Sequence, residues 1–307
     1  MRLVFAGTPA AAVPSLRALA ASTHDIVLAV TRRDAPQGRK RTLTPSPVAV
    51  AAESLGLDVL RTDRLDITAT ERISAAQADL GVIVAYGGLV REPLLSQPRH
   101  GWINLHFSLL PQWRGAAPVQ HAIIAGDAVL GSSIFRLVAE LDAGDVYAQR
   151  SLPGASDLTS GEALDVLADD GAGLLREVVD AIADGSAHAV PQEGEPTFAP
   201  KLTDDDGRVR WSEPQPAVLS RIRGVTPEPG AHTVVAGSRL KIHEVSAARP
   251  DAPQLASGVF ALDGRDVLVG TATSPVVLTS VQPAGKARMR AADWWRGLRA
   301  ESVEADA

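Results

Sequence analysis

Apolar residues along this chain come first in unbroken runs and later in short alternating ones. Leu3–Ala6, Ile26–Val30 and Leu80–Ala85 are continuous runs of four to six residues. Runs of that length without alternation suit strands buried on both faces, as a parallel sheet requires. Between them, apolar residues recur at three- and four-residue spacing over Val13–Ala20, Pro47–Leu55, Thr68–Gln77 and Ala116–Ala125, which is helical periodicity. Pro14 and Pro47 fall in first turns, where a missing N–H costs nothing, and Ser46 is placed to cap the second of these helices. Further strands are predicted over Leu57–Leu60, Trp102–Leu105, Gly131–Val138 and Val146–Leu152. A long helix follows over Thr159–Ala183, carried by Ala163, Leu164, Leu167, Leu174, Leu175, Val178 and Ile182. Strands alternating with helices define an open, largely parallel α/β sheet.

The pattern changes after Asp184. Residues 185–207 are rich in Pro and Gly and hold the acidic run Asp204-Asp205-Asp206, which reads as a linker. Beyond it come short β-rich runs at Thr233–Val235, Leu240–Val245, Gly258–Leu262, Val267–Val269 and Val276–Val281, with Asp263-Gly264 as a hairpin signal. Several short strands in about a hundred residues predict a small barrel or sandwich. The expected organisation is a catalytic domain over 1–184, a linker over 185–207 and a β domain over 208–307, with Glu301–Ala307 frayed.

Composition narrows the function classes. The 307 residues contain no cysteine, which excludes disulfides, thiolate metal sites and a Cys nucleophile. The apolar start of the chain is broken by Gly7-Thr8-Pro9 and Pro14, so it reads as strand and turn rather than a signal peptide. No stretch approaches the roughly 20 apolar residues of a membrane span. A cytoplasmic protein is expected. A net charge of −6 argues against nucleic acid when taken alone, but the positive charge is grouped. Residues 32–41 carry Arg32, Arg33, Arg39, Lys40 and Arg41 against Asp34. Pro36, Gly38, Pro45 and Pro47 predict that Arg32–Pro47 as a whole is a long irregular loop. Such a loop fits contact with a phosphate backbone, and equally a solvated charged surface. Residues 286–299 repeat the bias with Lys286, Arg288, Arg290, Arg296 and Arg299 around Trp294-Trp295. Those aromatics suit base stacking, and equally the closing of a barrel core.

The stretch Trp102–Gly126, WINLHFSLLPQWRGAAPVQHAIIAG, holds the strongest chemical candidates. Asn104 and His106 stand two apart at a strand end, so both face one side of the sheet. Asp142 follows the Gly131–Val138 strand, and the three are expected to meet where open α/β sheets place ligands. An amide, an imidazole and a carboxylate suit acyl transfer without a covalent intermediate, the first two holding an oxyanion and the third orienting the imidazole or relaying a proton through water. Taken singly, His106 is more often a capped structural histidine, while Asn104 reads also as a turn former and Asp142 as a loop cap. Tyr86-Gly87-Gly88 ends another strand, and its glycines let a ligand approach the backbone. Gly7 alone does not make a G-x-G-x-x-G turn, no G-x-S-x-G elbow is present, and His100 and His121 stand in other elements than His106, so no metal site is expected.

NLHFSLLPQWRGAAPVQHAIIAGD resembles the signature of the folate-dependent formyltransferase family: Asn-x-His, Ser-Leu-Leu-Pro, Arg-Gly. LDAGDV resembles that family's aspartate segment. The resemblance covers nearly the whole chain, through VFAGTP, GRKRTLTPSPV, FAPKLTDDDGRVRW, RIRGVTPEPGAHT and VQPAGKARM. It implies a Rossmann-like sheet domain followed by a smaller C-terminal OB-like β-barrel, and 10-formyltetrahydrofolate as co-substrate. It places Ser108, Leu109, Leu110, Pro111, Tyr86 and Gly87 near the folate. Asn104 and His106 would stabilise a tetrahedral oxyanion, and Asp142 would tune His106 and help remove the proton. Because glycinamide ribonucleotide formyltransferase lacks the second domain, the implied acceptor is the methionine amino group of initiator methionyl-tRNA. Arg39, Lys40 and Arg41 would contact the tRNA acceptor end, with Lys286 and Arg288 on the barrel. A monomer without metal is expected. Val90, Glu228 and Ser132-Ser133-Ile134 depart from the family pattern, and none belongs to the trio. Rival readings are a formyltransferase for an amino nucleotide sugar, a 10-formyltetrahydrofolate hydrolase, and an idle RNA-binding protein.

Overall fold

The structure is a computed structural model, and it describes residues 1–38, 41–154 and 157–306. The chain folds into two compact units. The first holds Met1–Pro118, Leu130–Leu152 and Leu164–Ala199; the second holds Val119–Val129, Pro153–Ala163 and Pro200–Ala307.

The apolar runs of the first unit become a sheet of seven strands. These are β1 (Arg2–Gly7), β2 (Asp25–Thr31), then β5 (Val59–Arg61), β6 (Leu80–Val84), β7 (Trp102–His106), β9 (Val129–Arg136) and β10 (Val146–Pro153), in the order β10-β9-β7-β6-β1-β2-β5. The numbers between belong to β3 (Ala35–Gln37), β4 (Thr42–Thr44) and β8 (Arg114–Gly115). From β5 to β7 every pairing is parallel, while β9 runs antiparallel to β7. Helices α1 (Val13–Ala20), α2 (Pro47–Ser54), α3 (Ile67–Ala75), α4 (Pro118–Ala125) and α5 (Ser160–Asp184) lie where the periodicity puts them, to within a few residues. Ser46 Oγ accepts the Ala49 N–H at 3.0 Å, which caps α2 as the sequence predicts. The stretch expected to be irregular differs. Ala35–Gln37 pairs antiparallel with Thr42–Thr44, so Pro36 sits in a short hairpin, while Pro45 follows it and Pro47 opens α2. An isolated two-stranded ribbon leaves an outer edge where a missing N–H is harmless.

One close packing contact fixes β7. Gly81 on β6 pairs in register with Trp102, and a Cβ on Gly81 would fall 2.1 Å from the indole. The glycine therefore makes room for a fully buried Trp102, whose Nε1–H donates to the Leu94 carbonyl at 2.9 Å.

The second unit is an antiparallel sheet. It comprises β12 (His232–Val235), β13 (Ser238–Ala247), β14 (Val259–Asp263), β15 (Asp266–Val269), β16 (Val276–Pro283) and β18 (Ser302–Glu304) in the order β12-β13-β16-β15-β14-β18. β17 (Met289–Arg290) pairs with β16, and β11 (Phe198–Ala199) belongs to the first unit. Asp263-Gly264 begins the β14–β15 turn. The chain end is not frayed as expected: it pairs with β14, bridges Ala305 to Val235, and gives the Asp306 N–H to the Val234 carbonyl at 2.9 Å. That bridge joins the two ends of the sheet into a barrel. Unpaired edge groups favour such closure.

The barrel core settles the double reading of the tryptophans. Trp211, Phe260, Trp294 and Trp295 are buried and stack edge to face at 5.8, 5.9 and 6.1 Å between ring centres. They close the core with helix α7 (Ala291–Leu298), while α6 (Gln215–Gly224) buries Val218, Leu219 and Ile222 in the same cluster. Trp294→Ala is expected to cost about 3–5 kcal/mol of folding free energy. Urea unfolding followed by tryptophan fluorescence checks this, and a loss under about 1 kcal/mol would contradict it.

Candidate active site

The carboxyl ends of β6 and β7 open into a cavity of about 430 Å³, a size suited to a small organic ligand. Asn104 and His106 project into it from β7, and Asp142 reaches it from the loop after β9. The antiparallel β7–β9 pair sets this meeting, with Asn104 opposite Phe135 and His106 opposite Ser133. Past Arg136 the chain turns back sharply. The Arg136 N–H donates to Asp145 O at 2.8 Å, and Asp142 is held at φ +45°. A Cβ on Gly144 would fall 1.8 Å from the Arg136 carbonyl oxygen, so this turn closes only over glycine.

The hydrogen bonds fix the state of His106. Its Nε2 lies 2.9 Å from the Trp113 carbonyl oxygen, which only accepts, so Nε2 carries the proton. Nδ1 is then the free lone pair, 3.8 Å from Asp142 Oδ2. That distance is too long for a hydrogen bond but close for an ion pair once Nδ1 is protonated. Asp142 Oδ2 itself accepts the Gly115 N–H at 2.8 Å. The imidazole is 5% exposed. Burial pushes its pKa below the ordinary histidine value, against the pull of Asp142 and of the Trp113 carbonyl. Burial thus favours the neutral imidazole, with its lone pair on Nδ1. Asn104 Oδ1 is buried with no hydrogen-bond partner among the described residues. An unsatisfied buried acceptor costs roughly 1–3 kcal/mol, so Oδ1 is left for a donor on a bound ligand, and the Nδ2 donor belongs to the same amide.

Tyr86 and Gly87 line the same cavity. The Tyr86 ring is buried, its hydroxyl donates to Thr62 O at 3.1 Å, and burial raises its pKa. Arg32, the first of the basic residues in 32–41, lies over the Tyr86 ring at 5.9 Å and donates to the Gly87 carbonyl. It braces the β6 loop. Ser108, Leu109, Leu110 and Pro111 are not among the lining residues. Ser108 Oγ donates to Gln112 O at 2.5 Å, and Ser133 Oγ joins the turn by donating to Ser108 O and accepting the Leu110 N–H. Those four residues form the buried turn behind His106. Arg39 and Lys40 lie outside the described residues, and Arg41 is exposed at φ +51°. Lys286 and Arg288 are exposed in the second unit, where Arg288 bonds Ser280 Oγ at 2.7 Å and pairs with Glu244.

Sequence reasoning missed Gln192, Thr197 and Ala199, which approach this site from the stretch read as linker. An isolated Gln or Thr in a Pro/Gly-rich stretch carries no signal of its own; only the pairing of β11 with β8 brings them in. Among the described residues no group of three or more His, Cys, Asp or Glu side chains has metal-binding geometry. No helix among them is long and apolar enough to cross a membrane.

This amide, buried imidazole and carboxylate, at the carboxyl end of a mostly parallel sheet with a small barrel in the same chain, sit in a protein of the formyl transferase class. The family pattern described as "Formyl transferase" matches residues 1–179, and "Formyl transferase, C-terminal domain" matches 201–299. A protein of Clavibacter sepedonicus named methionyl-tRNA formyltransferase is 62% identical over 303 residues, covering 99% of each chain. One of the same name from Clavibacter michiganensis subsp. michiganensis is 60% identical over 305 residues, covering 99% of this chain and 100% of the other. Among solved structures, WlaRD, a sugar 3N-formyl transferase, shares the fold with a TM-score of 0.67 at 13% identity, over 94% of this chain and 99% of its own. The chain belongs to the methionyl-tRNA formyltransferase family.

Proposed function

We propose that this enzyme moves the formyl group of 10-formyltetrahydrofolate to the amino group of methionyl initiator tRNA, in the cytoplasm, as a monomer serving translation initiation. The observation that carries the chemistry is the His106–Asp142 couple at 3.8 Å beside Asn104, whose buried Oδ1 has no partner among the described residues. The methionine amine attacks the formyl carbon, giving a tetrahedral intermediate with a negative oxygen and a protonated amine. Asn104 donates to the oxygen. His106 Nδ1 takes the amine proton, and Asp142 stabilises the imidazolium that results. Nδ1–H then faces the intermediate, supports the oxyanion and passes its proton to the departing N10 of the folate. The products are formylmethionyl-tRNA and tetrahydrofolate, with no net proton. The folate is held by the Tyr86-Gly87 loop, and the apolar rim at Leu89 and Leu141 shields the reacting carbon from water.

The deciding experiment incubates purified protein with 10-formyltetrahydrofolate and methionyl initiator tRNA and follows formylmethionyl-tRNA. Formyl appearing on an amino nucleotide sugar, or as free formate, overturns the reading. The tRNA is gripped in part by Arg39, Lys40 and Arg41. Changing all three to Ser is expected to weaken tRNA binding and to reduce the slope of log affinity against log salt by about two to three. An unchanged slope contradicts that role.

A further inference from the structure

One short segment outside the seven-stranded sheet hydrogen-bonds both the turn that carries Asp142 and the Trp113 residue whose carbonyl binds His106. We infer that Gln192 and Thr197, on the segment 192–199, are positioning residues of the formyl transfer: Gln192 sets Asp142, and Thr197 sets His106 through Trp113. The inference rests on the reaction proposed above.

Gln192 has its full hydrogen-bonding capacity engaged. Its Oε1 accepts from Arg114 Nε at 3.1 Å and Nη2 at 2.8 Å. Its Nε2 donates to the carbonyls of Asp142 at 2.8 Å and Gly144 at 2.9 Å. The guanidinium offers only donors and the two carbonyls only acceptors, so the amide fits in one orientation. Asp142 needs such a hold. A non-glycine residue in the left-handed region costs on the order of 1–3 kcal/mol and persists only where its surroundings over-determine it. Without the two donated bonds, this turn is free to relax, and Asp142 Oδ2 leaves its 3.8 Å station by Nδ1.

Thr197 acts on the other partner. Its Oγ1 accepts the Trp113 N–H at 2.8 Å and donates to Gln112 Oε1 at 2.8 Å. Its main chain accepts the Arg114 N–H at 2.9 Å. The Trp113 peptide is thus held from both sides while its own φ is +60°. The Trp113 carbonyl is what keeps the His106 proton on Nε2 and the lone pair on Nδ1. Ala199 completes the arrangement. Its carbonyl accepts the Ala117 N–H at 3.1 Å and would lie 2.6 Å from a Cβ on Gly115, the residue whose N–H binds Asp142 Oδ2. Reacting groups displaced by about 1 Å lose on the order of a hundredfold in rate, so the strap acts on turnover rather than on substrate affinity.

The test uses the full-length enzyme with both substrates. Gln192→Leu is expected to lower kcat about tenfold or more with both KM values within about twofold. In an Asp142→Asn background the same change should cost less than about twofold, because the group it positions is already lost. Thr197→Val should lower kcat about tenfold and Thr197→Ser should restore it. Nitrogen-15 shifts of the His106 ring should show the single Nε2–H tautomer in wild type and Thr197→Ser, and a mixture in Thr197→Val. If Gln192→Leu does not fold, Gln192→Glu replaces it, keeping the acceptor for Arg114 and losing both donors. Unchanged kcat, losses that add with Asp142→Asn, or a Thr197→Ser enzyme as slow as Thr197→Val would each overturn the inference. A wild-type enzyme that does not formylate methionyl-tRNA would instead overturn the proposed reaction, and the tautomer measurement would still stand or fall by itself.

Discussion

His106→Ala is expected to lower kcat by about 10²–10³-fold with little change in either KM. In the proposed reaction the substitution removes the acceptor of the amine proton and the donor that forms from it, both of which act after substrates are bound. Single-turnover formylation with saturating methionyl-tRNA measures this directly, and a loss under about tenfold would remove His106 from the chemistry. Because burial lowers the His106 pKa, the acid limb of kcat/KM is expected below the ordinary histidine value of about 6.5. Asp142 pulls that value up, so Asp142→Asn should move the limb to still lower pH while reducing the maximal rate. The same shift bears on stability. A histidine with a lower pKa in the fold than in the unfolded chain takes up a proton on unfolding. Its contribution is therefore present above about pH 6.5 and lost as pH falls below it. Thermal melts from about pH 7 down to about pH 5 should show the decline, and His106→Gln should flatten it.

Gly144→Ala is expected to lower activity by about a hundredfold or more and to destabilise the fold by about 1–3 kcal/mol. The added Cβ would sit 1.8 Å from the Arg136 carbonyl oxygen and 2.9 Å from its carbon. Both are backbone atoms of β9, held in the β7 pairing, so the loop must yield instead of the sheet. That loop carries Asp142. Gly297→Ala is the control: its Cβ meets nothing within 4 Å on an exposed face of α7, and alanine there should stabilise by about 0.5–1 kcal/mol without touching kcat. Equal effects at the two glycines would contradict the packing argument.

Much of the scaffold was legible because its causes are local. Unbroken apolar runs mark β1, β2 and β6, three- and four-residue spacing marks α5, and Ser46-Pro47 marks the start of α2. Asn104 and His106 fall on one face by the two-residue period of a strand. What was hidden depends on distant pairings. Nothing in Ala35–Gln37 announces its partner Thr42–Thr44, because the prolines dominate the local reading. The last strand reads as frayed because it is short and charged, and its place in the barrel is set by β14 and β12. Ser108–Pro111 is placed near the folate by the family resemblance alone; within the fold its hydrogen bonds go to Ser133, Gln112 and Gln149. Arg32 is indistinguishable by sequence from the arginines beside it until Tyr86 is seen beneath it.

The chain changes unit after residues 118, 129, 152, 163 and 199. A single breakpoint in the gene therefore separates nothing. The stretch Val119–Val129, cut from the middle of the catalytic half, contributes Ile124 to the packing of the barrel core. Recombination that exchanged the barrel as a cassette at the end of the sheet would leave that apolar face without its counterpart. Inheritance of the two units is consequently linked: substitutions in one are selected in the presence of the other. A chimera that keeps both working has to carry the crossing segments along with the barrel they serve.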